Sequence, residues 1–66
     1  MSRWRSEDAV PVLSDAFSAS EPLVRGHAAW ALGRVGGAAA RFALEAALSS
    51  EEDGWVLEEL ELALGR

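Results

Sequence analysis

Apolar residues return at helical period in four blocks along this chain. The second block is the clearest: Val24, Ala28, Ala31, Leu32 and Val35 recur at steps of three and four, which predicts one buried face of a helix. The flanking residues set its ends. Ser20 is the expected N-cap, since its hydroxyl can accept from an orphan N–H of the first turn. Glu21 adds negative charge beside the positive end of the helix dipole, and Pro22 stands where a missing N–H costs nothing. Gly36 and Gly37 stop the helix, because glycine enters the left-handed conformation at little cost.

The other three blocks read the same way. A first helix is expected from Ser6, with Glu7 and Asp8 in its first turn and a stripe of Val10, Leu13, Ala16 and Phe17. Pro11 fits only near that helix's start. Ser18, Ala19 and Ser20 make the turn into the second helix. A third helix is expected from Ala38 to Leu48, with Ala40, Leu44, Ala47 and Leu48 as its stripe and Phe42 on the flank. Ser49 and Ser50 break that pattern, and Ser50 with Asp53 resembles a capping box for a fourth helix from Glu51 to Leu64. Val56, Leu60, Ala63 and Leu64 form its core face, and Gly65 ends it.

The blocks repeat in pairs. Val24, Ala31, Leu32, Gly33 and Arg34, moved on by 32 residues, meet Val56, Ala63, Leu64, Gly65 and Arg66. Leu13, Ala16 and Ser18, moved on by 31, meet Leu44, Ala47 and Ser49. The fold expected is therefore all-α: two helical hairpins, about 7–36 and 37–66, in one domain built as a fragment of an α-solenoid.

Charge and composition narrow the function. The chain has no cysteine and one histidine, so it carries no thiolate ligand or thiol nucleophile. Nothing in it resembles a phosphate loop after a strand or a nucleophile motif, so catalysis is not expected. No apolar run approaches the ~20 residues of a membrane span, and Arg3 and Arg5 have no apolar stretch behind them, so a cytoplasmic chain is expected. The net charge of −5 is uneven: residues 1–41 carry five arginines against four acids, whereas residues 42–66 carry Arg66 against seven acids. Only the first part could approach phosphate.

The run VRGHAAWALGRVGG resembles the short HEAT-like repeats of phycobilisome lyases. The longer stretch EDAVPVLSDAFSASEPLVRGHAAWALGRVGG is similar to the C-terminal repeat region of bacterial epoxyqueuosine reductase. That resemblance implies a parent enzyme of queuosine synthesis that acts on tRNA with cobalamin and two four-iron clusters. It implies that this chain is the helical module alone, holding no cofactor itself, with the preceding catalytic domain, another protein or tRNA as partner. It further implies that Arg25 pairs with an acidic residue of the adjacent repeat, for which Asp15 and Glu21 are the candidates. Leu57 stands at the equivalent position of the second unit.

Candidate contacts gather on the second helix. Leu23, His27, Trp30 and Arg34 form a second stripe, rotated from the core face. Trp30 could stack on a base or on a partner side chain while Arg25, His27 and Arg34 meet phosphate. The competing reading is structural: Trp30 packs on the neighbouring helix, Arg34 lies across it, and His27 hydrogen-bonds a neighbouring repeat. Trp4 between Arg3 and Arg5 is either a nucleic-acid contact or packing on the end of the solenoid. Glu58 and Glu61 share a helix face without a histidine beside them, which fits a solvated face better than a metal site. Two units are fewer than the about three a solenoid usually needs for stability, so a homodimer of the isolated chain is expected.

Overall fold

The computed structural model describes residues 6–66, and Arg3, Trp4 and Arg5 lie outside the described residues. The first hairpin opens with a 3₁₀ turn, Ser6–Ala9, then α1 (Val10–Asp15) and a second 3₁₀ turn, Ala16–Ser18. Helix α2 (Pro22–Val35) completes it. The second hairpin is α3 (Gly37–Ser50) and α4 (Gly54–Leu64). No strand occurs among the described residues. Pro11 lies in the first turn of α1, where it costs no hydrogen bond.

Helix α2 is the centre of the fold and touches all three other helices, α4 most extensively. The core joins both hairpins: Leu32 from α2 meets Ala40 and Leu44 from α3 and Val56, Leu60 and Leu64 from α4. Leu13, Phe17, Val35 and Leu48 pack partly buried around it. Leu32, Val56 and Leu60 are the largest fully enclosed side chains. At about 25 cal/mol per Å² of apolar surface, each supplies roughly 1.5–3 kcal/mol.

The helix ends differ from expectation in three places. Glu21, not Ser20, is the N-cap residue of α2, with φ −84° and ψ 118° and no side-chain cap bond. The cause is Pro22, whose ring drives the preceding residue out of the helical region. The Glu21 carbonyl instead accepts from the N–H groups of Val24 and Arg25, at 3.1 and 3.2 Å. Helix α3 runs on through Ser49 and Ser50, whose hydroxyls donate to the carbonyls of Ala46 and Ala47. Serine turned back on its own helix does not break it. No capping box forms at Ser50. Asp53 is the N-cap of α4 and accepts from Val56 N at 3.0 Å, so residues 51–53 form the connecting turn.

Gly65 ends α4 in the left-handed region as expected, whereas Gly36 ends α2 with φ 71° and ψ −175°, extended at ψ rather than left-handed helical, and Gly37, φ 87°, opens α3.

The buried face of α2 is turned from the expected one. Val24 is 42% exposed, whereas Ala29 is completely enclosed and Gly26 is buried. Helix α4 lies over Gly26, Ala29 and Gly33, where small residues let the two backbones approach. A methyl group at Gly26 would overlap the Trp55 ring, and one at Gly33 would lie 3.0 Å from the Ala63 Cβ.

Candidate docking surface

At about 100° per residue, Arg25 lies some 200° round the helix from His27. It therefore points into the buried arc of α2, away from the stripe of His27, Trp30 and Arg34. A guanidinium there must be paired. Its Nε donates to Glu51 Oε1 at 2.9 Å and its Nη2 to Oε2 at 3.0 Å, while Nη1 donates to the Ala19 carbonyl at 2.7 Å. The acidic partner is thus Glu51, in the turn of the second hairpin, and not Asp15 or Glu21, both of which are exposed. Glu51 Oε2 also accepts from the backbone N–H groups of Glu52 and Asp53. One arginine ties the turn of the first hairpin to the turn of the second.

The geometry shifts both acidities. The Arg25 hydrogen bond, helped by the N–H groups of Asp53 and Glu52, holds the Glu51 carboxyl below its ordinary 4.5 against the opposing effect of burial. The same hydrogen bond raises Arg25 further above its ordinary value. With Arg25 engaged, the four candidate contacts Arg25, His27, Trp30 and Arg34 reduce to three.

Those three remain together. The Arg34 guanidinium lies 5.2 Å from the centre of the Trp30 ring, a cation–π pair on a side chain that is 57% exposed. His27 meets Trp55 edge-on, with ring centres 6.5 Å apart. Trp55 in turn lies over Gly26. Between α1, α2 and α4 runs an open groove of about 710 Å³. Its floor is Ala16, Ala28 and Ala31, its walls are Leu13, Val24, Trp30 and Trp55, and Glu59 stands among them. Glu59 is partly buried.

Sequence reasoning missed Trp55, Val24 and Glu59 as parts of one site. One signal was present: an isolated glycine inside a helical pattern, Gly26, marks close packing by a large neighbour. Among the described residues no cluster of three metal-ligating side chains occurs. With no cysteine in the sequence, its residues do not fit the thiolate ligation of an iron–sulfur cluster. No helix of the described residues is long and apolar enough to cross a membrane.

Paired helices, a repeating period and a core shared between successive hairpins define a helical-repeat protein. The chain matches the HEAT repeats family over residues 1–65 and belongs to it. Among its relatives are the epoxyqueuosine reductase of Listeria monocytogenes, 43% identical over 61 residues, and that of Bacillus cereus, 35% identical over 65 residues. An uncharacterised protein of the gldA 3′ region of Geobacillus stearothermophilus is 49% identical over 41 residues, 62% of this chain and 19% of its own length. The two reductase matches cover 91% and 97% of this chain but only 16% and 17% of the reductases, so the chain spans about a sixth of their length. No solved structure matches it.

Proposed function

We propose that this chain is a non-catalytic HEAT-repeat module that docks protein, serving as a scaffold in an epoxyqueuosine reductase-like protein of the cytoplasm. One observation carries the reading: an open apolar groove, walled by two partly exposed tryptophans, on a chain of net charge −5. Apolar walls favour a protein partner, and the acidic surface disfavours phosphate. Arg41 and Arg66 both reach Glu45, and Arg25 is held by Glu51, so three of the four described arginines face a carboxylate of the chain itself.

A second reading keeps tRNA as the partner. It is favoured by the exposed Trp30 and Arg34 pair, which offers a stacking face beside a cation. Titrating the purified chain with unmodified tRNA at low and at physiological salt separates the two. Protein docking predicts no saturable shift of the Trp30 indole resonance at physiological salt. A saturable shift that Trp30→Ala and Arg34→Ala abolish would establish RNA docking in its place.

A further inference from the structure

Val24, Ala28 and Ala31 follow one another along the groove at steps of four and three. At about 1.5 Å per residue they make a strip of roughly 10 Å, two turns of helix. Alanines on the floor let another backbone come close, and side chains at i, i+4 and i+7 are the surface into which a second helix packs its ridge. The groove's open side therefore has the shape of a seat for one more helix.

The charges say which helix. Glu59 is a partly buried carboxylate in an apolar wall, and no hydrogen bond or ion pair to it occurs among the described residues. Trp55 stands in the same groove, whereas Trp30 already carries Arg34 on its ring. A carboxylate beside an aromatic face takes an arginine better than any neutral side chain, because the guanidinium stacks on the ring while donating to the carboxylate. A second copy of the chain fits less well. Each copy carries a net charge of −5, and the exposed Leu62 shares its helix with Glu58, Glu59 and Glu61.

Building on the protein-docking reading above, we infer that this groove seats an amphipathic helix of a basic protein segment. Its apolar face lies between Trp30 and Trp55, and one of its arginines sits on Glu59. The partner's positive charge offsets the acidic surface and steers it to the groove.

The probe is a synthetic peptide of about 15 residues, the length at which an isolated helix begins to hold. It carries leucines at i, i+4 and i+7 and arginines on the flank; a matched peptide has glutamine for each arginine. Binding is read from the indole N–H resonances of Trp30 and Trp55 in the whole chain. The arginine peptide should shift both resonances saturably, and the glutamine peptide should bind about three- to tenfold more weakly. Glu59→Gln should weaken the arginine peptide by a similar factor and leave the glutamine peptide unchanged. Phe42→Ala, away from the groove, should change neither.

Equal binding of both peptides, or an arginine peptide indifferent to Glu59→Gln, would overturn the inference and leave protein docking standing. Indole shifts that follow chain concentration alone would overturn it in favour of a second copy. Binding of tRNA with neither peptide bound would overturn both readings.

Discussion

On one side of α2, Gly26 and Ala29 are buried under α4, and Arg25 is clamped by Glu51 and Ala19. On the other side Leu23, Trp30 and Arg34 face solvent beside an apolar groove. Size does not sort the two sides: Gly26 and Ala29 are enclosed together with Leu32, while Trp30 is exposed. Small residues let two helices of successive repeats come close, so the buried side builds the stack. Large residues left exposed on the other side build a binding surface. One helix carries the two tasks on opposite arcs, and changes to each arc should have different consequences.

Removing volume from the buried side has the largest effect. Leu32→Ala leaves a hole where α2, α3 and α4 meet, at a cost of about 2–5 kcal/mol. At ~0.05–0.15 kcal/mol per residue, that is much of the stability of so small a domain. Urea denaturation should find the variant largely unfolded at room temperature. A cost under ~1 kcal/mol would mean that Leu32 is not at the centre of the core.

Adding volume to the same side comes next. On an exposed helix, Gly→Ala stabilises by up to ~1 kcal/mol. At Gly26 the new methyl would overlap the Trp55 ring, so Gly26→Ala should instead destabilise by about 1–3 kcal/mol and alter tryptophan fluorescence. Gly54→Ala is the control: nothing lies within 4 Å of its Cβ position, and it should be neutral or stabilising by up to ~1 kcal/mol. The same sign for both variants would remove the close approach from the buried side.

The ion pair contributes a smaller, pH-dependent share. Glu51 has a folded-state pKa below its ordinary 4.5. Its contribution is therefore complete above that ordinary value and is lost as pH falls through the lower, folded one. Thermal midpoints of the wild-type chain should fall below about pH 4.5 more steeply than those of Glu51→Gln. Parallel curves would show that Arg25 does not hold the carboxylate.

Much of the stack was legible in the sequence, because Val56, Leu60 and Leu64 follow one period and Gly36 and Gly65 mark real ends. The rotation of α2 was not. Its alanines and glycines spread round most of the helix, so the period leaves several faces open and only the contact with α4 chooses among them. That choice sends Val24 outward and Arg25 inward. The site suffered most, since it depends on residues far apart in the chain: Arg25 and Glu51 are 26 residues apart, and Trp55 reaches Gly26 from another hairpin. At the helix starts, Pro22 and Asp53 decided matters that Ser20 and Ser50 were expected to decide.

The smallest effect on stability should come from the exposed side, and it gives the most direct test of the division. Thermal unfolding of Arg25→Ala and Trp30→Ala is compared with the wild-type chain at pH 7. Trp30→Ala removes an exposed ring and its contact with Arg34, and its midpoint should match the wild type to within what ~0.5 kcal/mol would move it. Arg25→Ala should unfold at a clearly lower temperature, because Glu51 and the Ala19 carbonyl both lose their donor. A midpoint lowered as much by Trp30→Ala as by Arg25→Ala would contradict the assignment of the two arcs to folding and to docking.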